Sequence, residues 1–390
     1  MRRTSKYLLR PTARQVDTLT TMLDDHRTMY NAALQERRDA YRMCGVSIRY
    51  GDQSAQLKDI RRADPDGQGR WSSCSQQTTL RRLGKAFDAF FRRVRAGQAP
   101  GFPRFKGLGR FNTVEWPADG AGCRWASAPG QSRVYLKGVG HVRVHQHRPV
   151  AGRIKTISVK REGDRWYVIL SCDDVPVVPL PSSGRAVGID LGIASFLTTS
   201  DGEQVANPRY MRAAADGLAQ AQRALARCKR GSRRRRKVRT RVAKVYAKVR
   251  RQRLDHAHKV ANLLVARHDV ICHEALQINN MSRSGRGTVA KPGSQVAQKA
   301  GLNRSILDAG WGVFLLILTA KAESAGRELI AVDPRNTSRT CPNCGHCCAE
   351  NRVTQAEFRC VRCGYENHAD VVGAVNVLRA GLVLQGAQAA

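Results

Sequence analysis

Acidic residues are scarce in this sequence. Its 390 residues include 31 Asp and Glu against 67 Lys and Arg, which gives a formal net charge of +36. A surface with that excess repels itself unless a polyanion neutralises it, and the usual polyanion is nucleic acid. An anionic membrane fits less well, because the basic residues are spread along the whole chain rather than gathered in one terminal amphipathic segment. The charge therefore predicts a protein that binds nucleic acid.

Long apolar segments are also missing. Residues 1–3 lead into mixed polar sequence without the apolar core of a secretory signal. The most apolar run, residues 313–318, is far shorter than the roughly 20 residues that a membrane span requires. Apolar residues still make up 42% of the chain, which is enough for folded cores. We therefore expect a globular cytoplasmic protein of two or three domains that does not bind a membrane.

A disulfide framework is not indicated, because half of the twelve cysteines are scattered singly. The other six crowd between positions 341 and 363, and four of them form two C-x-x-C pairs. Each pair can direct two thiolates at one ion, and two pairs complete a tetrahedral site without an open position. The sequence therefore predicts one structural zinc, with Cys347 or Cys348 as an alternative to the second ligand. The four predicted ligands are Cys341, Cys344, Cys360 and Cys363.

The secondary-structure pattern changes twice along the chain. Apolar residues recur at helical spacing over about 13–41 and 80–94, and β-rich runs follow between 99 and 175. Beyond a Pro- and Ser-containing linker, strands alternate with helices, which is typical of an α/β domain behind a β-plus-helix front half. The predicted elements there are strands at 186–191, 196–200, 269–273 and 328–332, and helices at about 208–229, 233–267, 302–326 and 369–380.

Three acidic residues stand out against their apolar surroundings. Asp190 lies inside a run with apolar residues on both faces, Glu274 closes an apolar strand, and Asp370 lies between the second cysteine pair and the final helix. Each alone is compatible with a turn or cap residue. Together they can hold two divalent ions roughly 3.5–4 Å apart, as two-metal phosphodiester cleavage requires. Sequence spacing leaves open whether the three side chains meet.

A basic run begins the second long helix of the back half. Its residues either form a solvated face or contact nucleic acid, and so many like charges on neighbouring turns destabilise a helix until phosphates neutralise them. We expect contacts with a nucleic-acid phosphate backbone by shape and charge. Trp71 and Trp116 are candidates for base stacking, with core packing as the alternative. The predicted nucleic-acid ligands are Arg233, Arg234, Arg235, Arg236 and Lys237.

Several segments together resemble the TnpB (OrfB) proteins, which bacterial and archaeal transposons encode and which are similar to the miniature type V CRISPR effectors. In the back half the resemblance is carried by residues 187–192, 196–202, 273–276, 308–312, 336–345 and 370–376. In the front half it is carried by residues 30–34, 103–106 and 154–157.

The resemblance implies a multidomain α+β architecture. An N-terminal wedge-like β-barrel domain (1–12 and 99–180) would carry an inserted helical recognition domain (13–98). An RNase H-like (RuvC) α/β nuclease domain (184–335 and 367–390) would follow, interrupted by a zinc-ribbon domain (336–366) that binds target nucleic acid.

The resemblance also implies a function in a prokaryotic cytoplasm. The chain would bind a guide RNA, read a short motif beside a double-stranded DNA target, and cleave both strands at one Mg²⁺-dependent RuvC site. Asp190, Glu274 and Asp370 fall on the catalytic positions and would bind two Mg²⁺ ions. The last motif departs from the family pattern: residues 368–374 read HADVVGA, where the family usually has Asp-Arg-Asp, any residue, Asn and Ala-Ala.

Two other functions stay open at this point, together with the choice between monomer and dimer. One is a nuclease-inactive, RNA-guided DNA-binding repressor with the same fold. The other is a transposase that joins DNA ends with RNase H-like carboxylates.

Overall fold

The computed structural model describes residues 1–128 and 130–389. The chain divides into two compact units, Met1–Pro176 and Val177–Ala390. Each unit has its own apolar core and its own main β-sheet.

Three helices follow the first strand of the N-terminal unit. Thr12 begins the first helix with a capping box, because its hydroxyl accepts from the Gln15 backbone N–H and the Gln15 side chain accepts from Thr12 in return. Gly45 ends that helix in the left-handed conformation (φ 67°). The elements are β1 (Arg3–Arg10), α1 (Ala13–Cys44), α2 (Tyr50–Ala63) and α3 (Ser73–Arg95).

The remaining strands of this unit form one antiparallel sheet with β1. The strands are β2 (Thr113–Trp116), β3 (Cys123–Ala126), β4 (Arg133–Leu136), β5 (Gly140–His145), β6 (Arg153–Glu162) and β7 (Arg165–Asp173). Their order is β2-β6-β7-β1-β5-β4-β3, so the N-terminal strand lies in the middle of the sheet. Trp71 and Trp116, at 0% and 1% exposure, belong to the core between this sheet and the helices. The core-packing alternative is therefore confirmed for both tryptophans, and the stacking expectation is wrong.

The C-terminal unit contains a five-stranded mixed sheet. Its strands are β8 (Ala186–Asp190), β9 (Ser195–Thr199), β10 (Gln204–Ala206), β11 (Val270–Glu274) and β12 (Glu328–Val332). The order is β10-β9-β8-β11-β12. Strands β8, β11 and β12 run parallel, whereas β9 and β10 are antiparallel to their neighbours. The parallel strands are apolar because the sheet is covered on its faces.

The helices of this unit lie between the strands and after them in the chain. They are α4 (Tyr210–Ala213), α5 (Ala215–Ala226), α6 (Arg233–Arg267), α7 (Ile278–Met281), α8 (Val296–Ala309), α9 (Trp311–Ala325) and α10 (Ala369–Ala389). The prediction of one helix over 302–326 is wrong. The helical segment begins at Val296 and is divided at Gly310, whose left-handed backbone (φ 73°) ends α8 and turns the chain into α9.

Helix α10 packs across β8, β11 and β12. Gly188 in β8 makes this close approach possible. A Cβ at that position would lie 2.1 Å from the Ala374 carbonyl oxygen and 2.7 Å from the Leu378 nitrogen. The strand therefore needs glycine where the helix backbone crosses it.

Two helical segments, Val296–Ala325 and Ala369–Ala387, are long and apolar enough to cross a membrane by length and composition alone. The sequence prediction considered only the run at 313–318 and did not find them. The first segment is broken at Gly310, and the second is the helix that packs across the sheet. Part of each segment packs within this unit, since Phe314 and Leu318 of the first and Val377 of the second are buried. Other apolar residues of the same segments are exposed, among them Leu316 at 73% and Val383 at 71%.

Candidate functional site

The three acidic residues singled out in the sequence come together at one edge of the mixed sheet. Asp190 and Glu274 are the last residues of the parallel strands β8 and β11, which pair up to Ile189 and His273. Their carboxyl ends therefore lie side by side. Asp370 is in the first turn of α10, the helix that covers these strands.

The electrostatics of the site follow from this convergence. Burial raises the pKa of Asp190 to about 7, and repulsion by Glu274 and then Asp370 adds to the effect. Burial also raises the pKa of Glu274. Negative charges that are buried and lie close together are unfavourable. A bound cation would therefore stabilise this site.

Two residues near the zinc ligands in the sequence also reach this site. Arg352 lies with a guanidinium nitrogen 3.7 Å from Asp370 Oδ1 and lowers the pKa of both Asp190 and Glu274. The buried Thr337 donates its hydroxyl to Glu274 Oε1 at 2.7 Å. Sequence reasoning missed both roles: Thr337 lies in a recognised motif without an assigned role, and Arg352 is one of 67 basic residues.

The carbonyl of Thr337 is fixed in turn by α10. Asn376 Nδ2 donates to the carbonyl oxygens of Thr337 and Thr340, both at 2.7 Å. The helix that carries Asp370 therefore also holds the loop that orients Glu274.

The donor set fits divalent metal ions. Carboxylate oxygens are the hard ligands that Mg²⁺ prefers. Gly373 leaves room for them, because a Cβ there would lie 3.2 Å from Asp190 Oδ2. In the part of the chain that the structure describes, only the zinc-ligand candidates form a set of three or more ligand atoms all within 4.8 Å of one another. The carboxylate oxygens of Asp190, Glu274 and Asp370 do not form a set that compact.

The four predicted cysteine ligands meet in a small separate cluster. Their sulfur atoms all lie within 4.8 Å, with Cys341 and Cys363 at 3.6 Å and Cys344 and Cys360 also at 3.6 Å. A backbone hydrogen bond at Tyr365, together with bonds from the other thiols, lowers the pKa of Cys363 to about 6. At Cys344 a backbone hydrogen bond at His346 lowers the pKa, but burial and the neighbouring thiols outweigh it and raise the pKa to about 12, so the cluster shares its protons unevenly. A low pKa favours the thiolate that binds zinc. The cluster is compatible with one structural zinc.

Both cysteine pairs lie in tight knuckles of the same construction. Gly345 and Gly364, at φ 71° and 72°, each donate a backbone N–H to the first cysteine of their pair. The second knuckle is flanked by the short antiparallel strands β13 (Glu357–Arg359) and β14 (Glu366–His368). Cys347 and Cys348 do not belong to the four-sulfur cluster.

The predicted nucleic-acid ligands lie in the first turns of α6, where Ser232 caps the helix. Four of the five side chains are exposed, and Arg235 is the exception. Its guanidinium donates to the carbonyls of Leu225 at 2.9 Å and Cys228 at 3.0 Å. Arg235 therefore satisfies the carbonyls at the C-terminal end of α5, a structural role that the basic run did not reveal.

Three family models match parts of the chain. They are an OrfB model of the IS605 type described as "Probable transposase" (residues 158–285), "Cas12f1-like, TNB domain" (residues 311–377) and "Helix-turn-helix domain" (residues 1–45). Residues 1–45 fold here as a strand and one uninterrupted helix.

Curated relatives match nearly the whole chain. The "Putative RNA-guided DNA endonuclease InsQ" of Escherichia coli K12 is 33% identical over 378 residues, which cover 96% of this chain and 91% of that one. A "Putative RNA-guided DNA endonuclease" of Streptomyces pristinaespiralis is 30% identical over 388 residues, covering 98% and 90%.

A solved structure shares the mixed α/β fold. The matching chain of a Cas12f1–sgRNA–target DNA complex has a TM-score of 0.54 and 15% identity, covering 94% of this chain and 83% of that one. The curated relatives match over nearly their full length, the OrfB model matches a long segment, and the family motifs occur in order. The chain therefore belongs to the TnpB (OrfB) family.

Proposed function

We propose that this protein is an RNA-guided endonuclease that cleaves double-stranded DNA at a single site built from Asp190, Glu274 and Asp370. The observation that carries the proposal is the convergence of these carboxylates at one sheet edge, in a chain with a net charge of +36. The curated relatives named as RNA-guided DNA endonucleases support it.

Each residue has a role in the proposed chemistry. Asp190, Glu274 and Asp370 would hold two Mg²⁺ ions, which supply an activated water and stabilise the leaving oxygen. Thr337 would orient Glu274 through its 2.7 Å hydrogen bond. Arg352, beside Asp370, would contact the negative charge of the scissile phosphate.

The finer architecture is part of the same proposal. The five-stranded sheet with its covering helix would form an RNase H-like RuvC domain, and the four-cysteine segment 336–366 a zinc ribbon that binds target nucleic acid. The N-terminal sheet would form the wedge-like barrel, with the helical segment 13–98 inserted as the recognition domain. The protein would act in a bacterial cytoplasm with a guide RNA and a short target-adjacent motif.

The test is to express the chain with its flanking genomic DNA and to sequence the RNA that copurifies. The particle is then incubated with Mg²⁺ and plasmids that carry a sequence matching that RNA beside randomised flanking bases. We expect linear products only from matched plasmids with a particular flanking motif. A particle without RNA that yields strand-transfer products would favour a transposase instead.

One observation favours a second function, a guided DNA-binding repressor. Val372 and Gly373 stand where the last family motif has asparagine and alanine. A particle that retains RNA and binds matched DNA, but leaves it intact in Mg²⁺ and Mn²⁺, would support that function and contradict the nuclease.

The exposed basic residues of α6 give a prediction of their own. Changing Arg234 and Lys237 to alanine should weaken binding of the guide RNA. The logarithm of the association constant should then fall less steeply with the logarithm of the salt concentration, by about 0.7–0.9 in slope per charge removed. Lys259→Ala is the matched control, because Lys259 lies on the same helix and is already paired with Asp255 at 2.7 Å. Titration of labelled RNA at several salt concentrations measures the slopes. An unchanged slope in the double variant would contradict the contact.

A further inference from the structure

The N-terminal unit carries an unusual group of exposed aromatic side chains. The chain has nine phenylalanines, and the exposed ones among the described residues are Phe91, Phe102 and Phe105. Their exposed fractions are 52%, 46% and 43%, and all three lie between positions 91 and 105. Large exposed apolar patches mark interaction sites rather than ordinary surface.

Two of these rings, Phe91 and Phe102, form one continuous group with Phe87 and Phe90 at the end of α3. Phe91 lies edge-on to Phe90 at 5.1 Å, and Phe102 lies edge-on to Phe90 at 5.3 Å and to Phe87 at 5.5 Å between ring centroids. We call these four residues the aromatic cluster. Phe87 also packs on the core of the unit, so the exposed rings stand on a fixed base.

The segment that follows α3 is held in place against α1. Asn31 exchanges two hydrogen bonds with the backbone of Lys106, donating at 3.0 Å and accepting at 2.8 Å. Pro103 is buried between the exposed Phe102 and Phe105. The exposed rings are therefore presented by an anchored backbone, which lowers the entropic cost of binding a flat partner.

The surroundings of the aromatic cluster are strongly basic. Between positions 85 and 110 the only acidic residue is Asp88. The basic residues of this segment are Lys85, Arg92, Arg93, Arg95, Arg104, Lys106 and Arg110. Exposed aromatic rings among arginines are the arrangement that binds single-stranded nucleic acid, with bases on the rings and phosphates on the cations.

We propose that the aromatic cluster and its flanking arginines bind an unpaired stretch of the guide RNA, with bases stacked on Phe91 and Phe102. This rests on the proposed function, since it assigns a site to the RNA that the function requires. RNA is the occupant because exposed apolar rings are an aggregation liability unless a resident partner covers them. In the proposed function the RNA is bound before any target DNA is recognised, so RNA is the partner that can cover these rings throughout. A duplex does not fit, because its bases are already stacked on each other.

The test uses the complete particle purified from cells fed 4-thiouridine. Irradiation before any DNA is added should crosslink the RNA to the peptide that contains residues 85–110, as located by mass spectrometry. Phe91→Ala/Phe102→Ala should remove this crosslink and weaken RNA binding roughly thirtyfold without changing the salt slope, because stacking releases no counterions. Phe91→Trp/Phe102→Trp should keep both. Val94→Ala/Leu108→Ala is the matched control, since it removes exposed aliphatic groups from the same segment.

The other outcomes overturn the inference in different ways. A crosslink that forms here only with 4-thiothymidine-labelled target DNA would assign the cluster to DNA. An alanine variant that sediments as a smaller species, while its RNA crosslinks elsewhere, would assign the cluster to contact between copies of the chain. RNA-guided cleavage without this crosslink would overturn the inference alone. A particle without RNA would overturn the proposed function together with it.

Discussion

Replacing Asp190 with asparagine should strongly slow DNA cleavage and, at the same time, make the metal-free protein more stable above neutral pH. Asparagine keeps the size of the side chain but removes the charge that would bind a metal ion. We expect cleavage to fall on the order of 10³-fold, as when a group that stabilises transition-state charge is removed. RNA and DNA binding should remain, because the phosphate-binding surface is unchanged.

The stability gain follows from the raised pKa of Asp190. In the unfolded chain an aspartic acid titrates near 3.9, whereas in the folded, metal-free protein Asp190 titrates at about 7. Between these values the folded state holds a proton that the unfolded state has lost, so stability falls as the pH rises and the penalty is complete above pH 7. At 1.36 kcal/mol per pKa unit, the penalty is on the order of 4 kcal/mol.

Urea denaturation at pH 5 and pH 8 measures this difference. The buffer lacks Mg²⁺ but contains no strong chelator, so that bound zinc is retained. The asparagine variant should exceed the wild-type protein in unfolding free energy at pH 8, and the advantage should shrink toward pH 5. Added Mg²⁺ should stabilise the wild-type protein more than the variant.

Asp333→Asn is the matched control, because Asp333 is an exposed acid that directly follows β12. It should change neither cleavage nor the pH dependence of stability. Cleavage by Asp190→Asn at the wild-type rate would remove Asp190 from the mechanism. A variant that is inactive but no more stable at pH 8 would show that the repulsion is relieved in another way.

Local sequence predicted the elements whose side chains follow a simple period. Strands β6 and β7 lie within the β-rich region predicted between 99 and 175, and the strand Glu328–Val332 lies where its apolar run predicts it. The prediction of a single helix over 302–326 was wrong because of the backbone at one residue. The apolar periodicity continues past Gly310, but the left-handed conformation of Gly310 divides the segment into two helices. Periodicity detects which face is apolar and not whether the helix axis continues.

The site shows the same division between local and tertiary information. An acid at the end of an apolar strand is visible in the sequence, which is why Asp190 and Glu274 were found. The contact of Thr337 with Glu274 spans 63 residues and depends on the strand order and on α10. For Arg235 the sequence shows the charge and predicts a nucleic-acid contact. It does not show that the guanidinium already donates to the carbonyls of Leu225 and Cys228.

Loss of the zinc cluster should strongly slow DNA cleavage although the zinc takes no part in the reaction. The segment around the four cysteines has a small apolar core, with Phe358, Ala369 and Val372 buried beside Cys341 and Cys360. A core of that size cannot fold the segment alone, so zinc binding must supply the folding free energy, on the order of 10 kcal/mol for such sites. In Cys360→Ser we therefore expect loss of one zinc per chain and unfolding of residues 336–366.

The effect should reach the carboxylates through two contacts. Thr337 lies four residues before the first knuckle and donates to Glu274. Arg352 lies between the knuckles and contacts Asp370. When the segment unfolds, both contacts are lost, and cleavage should fall by roughly 100-fold or more, as with the loss of groups that orient metal ligands. RNA binding should persist, since the exposed arginines of α6 are not part of this segment.

Two variants separate this route from general damage. Cys347→Ser changes an exposed cysteine outside the cluster and should keep both zinc and activity. Thr337→Val should keep zinc but slow cleavage and raise the Mg²⁺ concentration that half-maximal cleavage requires, whereas Thr337→Ser should restore both because its hydroxyl can still donate to Glu274. Zinc content, hydrogen exchange in residues 336–366 and Mg²⁺ titrations of the cleavage rate measure these outcomes. If Cys360→Ser lost its zinc yet cleaved DNA at the wild-type rate, the carboxylates would be organised by the sheet and α10 alone.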